Sequence, residues 1–459
     1  MTRDFAIRCD WESALHDAPE VRETSALLTI VLGNTVVTRN EDVWSRTVRD
    51  EVRLSAYPLA LWCAASWWRL RWEPLPMRPA TPNHSWRMAH EMAAAGYGYL
   101  WPQMLFAFDG ESMHVWARQS APDAQAAVRY LLDAHHAIPG SAFEQMLDEF
   151  IAHVMARLDA VDVQRTTLYD LWHEIMEERH DADLAAYRRL EAMLGFDPDE
   201  CPAELHQKFA SLIPRAGAAA VTELAPVCAS ADPGATLEQV MAFADAQGLE
   251  GHIDLAIPTG DSTAAVPTPV WERGRALARR ARAAVGLNGV AVTDERLCEL
   301  VNLPTERALN TEDTHRTRDT RRTHPLLSMA IRHEESQQLK FLLRKRNKPG
   351  RRFELARLLG DALMADTNDR WLPATDAKTA RQKMQRAFAI EFLCPIQSLT
   401  AFLGDDFSSD ATEEAAEHFG VSHTAVETHL VNNGLLSSDV LREHDNDFEF
   451  PYVIHPRSL

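Results

Sequence analysis

Four sets of residues in this chain have the types and spacing to do chemistry. His173, Glu177 and His180 stand at i, i+4 and i+7, so on a helix they share one face and could hold a metal ion. Glu174, Glu178, Arg179 and Asp181 crowd the same segment, as on a solvated helix face, and both readings stay open. His333-Glu334-Glu335-Ser336-Gln337 begins like the His-Glu-x-x-His zinc signature but puts Gln where the second imidazole belongs, so a polar turn is expected. No intact His-Glu-x-x-His occurs in the chain. Arg357 and Asp361 lie one helical turn apart with opposite charge, a spacing that lets them pair. A basic island spans residues 316–352, and within it Arg344, Lys345, Arg346, Lys348, Arg351 and Arg352 form a cluster that could hold phosphates or an acidic partner. It could equally be a solvated run, or one neutralised by the protein's own acidic surface.

The elements that must position these residues change in kind along the chain. Ala26 to Leu32 and Thr35 to Thr38 are β-prone runs joined by Gly33-Asn34, a two-residue hairpin signal, and Glu51 to Ser55 alternates like a further strand. Met104 to Phe108 and Ser112 to Ala117 flank Asp109-Gly110 and predict a second hairpin. Between the hairpins, Leu59 to Trp72 reads as a helix whose Trp62, Trp67, Trp68 and Trp72, beside Arg69 and Arg71, suit core packing with cation–π support. Residues 1–120 are therefore expected to form an α+β unit, and the amphipathic periodicity of 121–255 predicts a helical region. Pro258, Gly260, Pro267 and Pro269 mark 256–269 as a linker. A third region, 270–440, opens with a basic amphipathic helix from Trp271 to Val285 and ends before a tail at 441–459.

Within that third region, Arg352-Phe353-Glu354-Leu355-Ala356-Arg357-Leu358-Leu359-Gly360-Asp361 places apolar residues at helical spacing. The segment resembles the active-site helix of the ImmA/IrrE family of metallopeptidases, in which Arg-Phe-x-x-Ala runs into His-Glu-Leu-Gly-His. Phe388-Ala389-Ile390-Glu391-Phe392-Leu393-Cys394-Pro395 resembles the family's Phe-Ala-x-x-Leu-Leu-x-Pro helix end, and Glu413 to Leu436 resembles its closing helical bundle. The resemblance implies a zincin-like domain over roughly 268–440. It also implies that the two zinc-binding histidines are replaced by Arg357 and Asp361, the general base by Leu358, and the third ligand by Met384. An arginine keeps its charge where a dication would sit, and leucine can neither bind metal nor transfer a proton. No cofactor and no peptide hydrolysis are expected, and Arg357 and Asp361 are expected to pair across the closed pocket. Family members bind and cut helix-turn-helix repressors of mobile elements or stress responses. The resemblance thus implies a protein partner, a repressor or a co-encoded component of a mobile-element or phage-defence operon, bound without cutting.

The bulk composition narrows the alternatives. The formal net charge of -20 argues against non-specific binding of nucleic acid or anionic membrane by the whole molecule, leaving the basic island as the place where nucleic acid could bind. The turn at Gly420-Val421-Ser422 could introduce a DNA-reading helix, but Ser422 to Asn433 contains no Lys or Arg, and Glu427 would face the phosphates. The six cysteines form no Cys-x-x-Cys pair and read as free thiols. With no apolar run of membrane-spanning length and no signal peptide, a cytoplasmic, helix-rich α+β protein is expected.

Overall fold

A computed structural model describes residues 4–16, 18–77, 82–121, 125–255, 268–310, 325–333 and 338–437. It is α+β and rich in helix, and it divides into two compact units between His206 and Gln207. The first unit holds β1 (Phe5–Trp11), α1 (Pro19–Glu23), β2 (Ser25–Leu32), β3 (Thr35–Val36), β4 (Asn40–Asp42), β5 (Thr47–Arg49) and β6 (Val52–Ser55). There follow α2 (Ala56–Ala65), α3 (Trp67–Trp72), α4 (His84–His90), β7 (Gln103–Phe108), β8 (Ser112–Arg118), β9 (Val128–Tyr130) and β10 (Ala134–Pro139). The helices α5 (Gly140–Ala160), α6 (Thr167–His180) and α7 (Ala182–Met193) complete it. Its sheets are β1-β2-β3 with β6 also on β2, β10-β8-β7, and β5-β4-β9.

Both expected hairpins form, each with a glycine in the left-handed region: Gly33 at φ 58° and Gly110 at φ 102°. Asp109 fastens the second turn, its Oδ1 accepting from the backbone N–H of Glu111 (2.9 Å) and Ser112 (2.7 Å). The tryptophan-rich helix breaks at Ser66 into α2 and α3, burying Trp62, Trp67 and Trp68. Arg71 lies 4.2 Å from the Phe108 ring centre, and Arg179 lies 4.5 Å from that of Trp67. The clustered tryptophans are thus core, with cationic support.

Helix α8 (Ala203–Ala216) spans the division. The second unit continues with α9 (Ala218–Cys228), α10 (Pro233–Asp245), β11 (Leu249–His252), α11 (Val270–Ala284), α12 (Asp294–Leu300), α13 (Thr305–Leu309), β12 (Ser328–Arg332) and β13 (Gln338–Leu342). It closes with α14 (Lys348–Met364), β14 (Trp371–Ala374), α15 (Ala380–Leu393), α16 (Ile396–Leu403), α17 (Ser409–Phe419) and α18 (His423–Asn432). Its sheet is antiparallel throughout, in the order β11-β13-β12-β14.

The division falls elsewhere than the composition suggested. Residues from 207 onward, expected in the helical middle, belong to the second unit because β11 pairs with β13 (Leu249 opposite Phe341) and Arg370 N–H donates to the Ala216 carbonyl (3.1 Å). Most of the expected linker (256–267), the threonine- and arginine-rich stretch 311–324, residues 334–337 and the tail 441–459 lie outside the described residues. Among the described residues, no single helix is long and apolar enough to cross a membrane.

Candidate functional site

Helix α14 carries the positions singled out in the sequence. It starts where the Asn347 side chain accepts from Gly350 N–H (2.7 Å), and Leu355, Ala356, Leu358 and Leu359 are fully buried on it. Its neighbour α15 comes close because Gly360 leaves room: a Cβ there would stand 2.5 Å from the Phe388 ring. On the other side of α15, a Cβ on Gly274 of α11 would stand 2.5 Å from the Met384 carbonyl oxygen. Small residues at two contact points let α14 and α11 each pack at close range against α15.

Arg357 and Asp361 do not pair with each other. Arg357 is 3% exposed, and its Nη2 donates to the Thr375 carbonyl (2.7 Å) and to the side-chain oxygens of Gln382 and of Gln385 (3.2 Å). Its Nε has no hydrogen-bond partner among the described residues. Asp361, 1% exposed, takes both its bonds from Arg381: Nε to Oδ1 at 2.8 Å and Nη2 to Oδ2 at 2.9 Å. Arg381 also reaches Asp369 at 3.3 Å. A planar guanidinium on the facing helix satisfies both carboxylate oxygens at once. The expected pairing is therefore replaced by two separate links from α14, one to α15 and to Thr375 just after β14, and one to α15 alone.

Met384, read as the third ligand's replacement, is half-buried and contributes nothing to this cluster; its backbone faces α11. The α15 side chains that meet α14 are Arg381, Gln382 and Gln385. Gln382 is the hub: its oxygen accepts from Thr375 N–H (2.8 Å) besides Arg357, and its amide nitrogen donates to Pro373 O and to Glu223, both at 2.9 Å. The same Glu223 oxygen accepts from the Thr379 hydroxyl at 2.6 Å, and burial pushes its carboxyl above the ordinary range. Arg386 donates to the carbonyls of Thr375 (3.3 Å) and Ala377 (2.7 Å). Burial, and then the neighbouring Arg386 cation, push the Arg357 guanidinium down to about 9. Leu358 is fully buried in the apolar core.

These residues do not fit a zinc ion. The only carboxylate at an expected ligand position has both oxygens engaged by Arg381, and Arg357 adds a second cation close by. Among the described residues no group of three His, Cys, Asp or Glu side chains is arranged to hold a metal. In the first unit, His173 and Glu177 are 71% and 72% exposed with Nδ1 3.6 Å from Oε1, while the Nδ1 of His180 turns onto the Met176 carbonyl, so that trio does not converge. His333 meets Glu250 at 2.9 Å, and the rest of its motif lies outside the described residues.

Much of the basic island is internal. Arg344 bonds Glu354 (2.8 Å) and Asp376 (2.8 Å), and Arg351 donates to the carbonyls of Ala308 (2.6 Å) and Arg307 (3.3 Å). Arg352 holds Asp294, the Val292 carbonyl (2.6 Å) and the Gly420 carbonyl (2.9 Å), and Lys348 also pairs with Asp294. Lys345 and Arg346 are exposed. The charge run is thus mostly spent on orienting its own helix. The turn before α18 is held in the same way, and α18 packs inward through Val426, Leu430 and Val431. Glu427, expected to face phosphates, is itself buried, 3.5 Å from His423. All six cysteines are free, and five are buried.

Sequence reasoning missed Glu223, Thr375, Arg381, Gln382, Gln385 and Arg386. The signal available was the polar set Arg381, Gln382, Gln385 and Arg386 on a helix that ends in the apolar Phe388-Phe392-Leu393 run. Polar residues on one stretch of an amphipathic helix read as its solvent face, and only a facing polar layer reverses that inference. Comparison with family models, with curated proteins and with solved structures finds no match.

Proposed function

We propose that the second unit is a metallopeptidase-like module that has lost its metal chemistry and serves as a regulatory, partner-binding component. The observation that carries this reading is the meeting of separated motif pieces. Gly360 of the Arg-Phe-x-x-Ala frame lies against Phe388 of the Phe-Ala frame, as two parts of one active-site scaffold would. The positions between them hold an arginine, and an aspartate tied to a second arginine. A scaffold kept while its ligands are exchanged for a buried hydrogen-bond network suits binding rather than hydrolysis. The partner class implied by the resemblance is a helix-turn-helix repressor or a co-encoded operon component.

The test is metal content by mass spectrometry on tag-free protein from zinc-supplemented medium, beside the variant R357H/L358E/D361H/Q385E. Substoichiometric zinc in the natural chain and a gain in the variant support the reading. One zinc per natural chain sinks it. Partner binding should likewise survive EDTA unchanged. Among the described residues, the rival, nucleic-acid binding, rests on Lys345 and Arg346. It requires that K345E/R346E abolish a strongly salt-dependent affinity. Including Arg344 in that variant, natural from sequence alone, would break the buried bond to Glu354 and confound the result.

A further inference from the structure

Strand β1 stands at the end of its sheet, paired with β2 on one side and with no described strand on the other. Its hydrogen-bond phase can be worked out. Gly33 N–H donates to Asp4 O (2.7 Å) and Glu12 N–H to Ser25 O (2.8 Å), at the two ends of a continuous register that sets Phe5 opposite Leu32 and Trp11 opposite Ala26. In an antiparallel ladder, hydrogen-bonded pairs alternate. The even residues Ala6, Arg8 and Asp10 therefore bond to β2, and the odd residues Phe5, Ile7, Cys9 and Trp11 turn their N–H and C=O groups to the free edge. A groove of about 750 Å³ runs along that edge, lined by β1 and by Met146, Glu149, Phe150 and His153 of α5. A row of unpaired backbone donors and acceptors beside a groove is a template for one more strand.

The side chains select which strand. Arg8 and Asp10 are both exposed and flank Cys9 with opposite charge. The geometry points to a twofold antiparallel pairing of β1 with the β1 of a second copy of this chain, centred on Cys9. In that register Ile7 faces Trp11 of the other copy, Cys9 faces Cys9, and these odd residues exchange their free backbone bonds. Arg8 then stands opposite Asp10 of the other copy, and Asp10 opposite Arg8, at the non-hydrogen-bonded positions where cross-strand side chains come closest. The neighbouring symmetric registers are disfavoured: centring on Arg8 sets arginine against arginine, and centring on Asp10 sets aspartate against aspartate. Registers that place odd residues opposite even ones leave the backbone groups out of phase. The interface is isologous, so one short strand supplies both halves of the charge pattern.

Sedimentation velocity of the full chain across the micromolar range tests this, with R8D, D10R, their equimolar mixture and the double variant R8D/D10R. Both positions are exposed, and circular dichroism checks that the fold is unchanged. The natural chain should dimerise, and each single variant should raise the dissociation constant by about tenfold or more, since like charges then face each other. The mixture should recover dimer, because the two carboxylates of an R8D chain then face the two guanidinium groups of a D10R chain. The double variant, which only exchanges the two charges, should recover it as well. A natural chain that stays monomeric, or a dimer indifferent to R8D, overturns the proposal and leaves the edge to an extended segment of a different protein.

Discussion

Replacing Arg357 by methionine should stabilise the second unit, although it deletes three hydrogen bonds. The guanidinium is 3% exposed, no carboxylate among the described residues lies within salt-bridge distance of it, and Arg386 is a second cation nearby. A fall from the ordinary arginine value to about 9 corresponds to about 5 kcal/mol by which burial disfavours the charged form that persists at neutral pH. Against this stand the acceptors left behind. The Thr375 carbonyl keeps Arg386, and the Gln382 oxygen keeps Thr375 N–H, so only the Gln385 oxygen is stranded, at about 1–3 kcal/mol. Methionine fills a similar length of apolar space without a charge. The net expectation is a gain of about 2–4 kcal/mol. Calorimetry at pH 7 should show it as a rise of roughly 2–4 °C per kcal/mol in the transition of the second unit. R357A, which opens a cavity, should lie well below R357M. Loss of more than about 1 kcal/mol in R357M would refute the reasoning, because the bonds to Thr375, Gln382 and Gln385 would then outweigh the burial of the charge.

Other consequences separate neighbouring parts of the site. D361A strands Arg381 with only Asp369 at 3.3 Å and should cost about 3–5 kcal/mol in a urea titration, whereas D361L/R381M should recover most of it. His429 is pushed down from 6.5 to about 3 by burial and then by Arg275 and Arg279; Glu391, 3.8 Å away, is already paired with Arg279 at 2.8 Å. As pH falls the unfolded chain takes this proton near 6.5 and the folded one only near 3. Stability should therefore drop by about 1.4 kcal/mol per pH unit between those limits, and H429Q should flatten that slope. R344E should cost about 3 kcal/mol or more by leaving Glu354 buried beside a new carboxylate, while K345E/R346E should leave the melting temperature within about 2 °C. H173A should change neither metal content nor stability measurably, since the side chain is exposed.

Local signals were legible wherever one short stretch of chain decides the structure. The glycine turns at Gly33 and Gly110, the strands beside them and the helix carrying Arg357 and Asp361 follow from turn chemistry and periodicity, which act over a few residues. Strand β1 carries a local signal too, the alternation of Phe5, Ile7, Cys9 and Trp11. The residue types at 357 and 358 speak against zinc chemistry without any structure, because an arginine or a leucine is a poor ligand in any environment, whereas the aspartate at 361 is excluded only by its bonds to Arg381. What became of the space between α14 and α15 was decided only in three dimensions. Arg381, not Arg357, holds Asp361 through a planar pair of donors from the facing helix, and Gln382 and Gln385 turn inward where Gly360 lets that helix approach. The basic island shows the same limit. Arg344, Arg351 and Arg352 look identical in sequence to Lys345 and Arg346, yet the first three are held by carboxylates and carbonyls contributed from distant parts of the chain. Charge is a property of the residue, but whether it faces solvent depends on partners that the fold alone brings within reach.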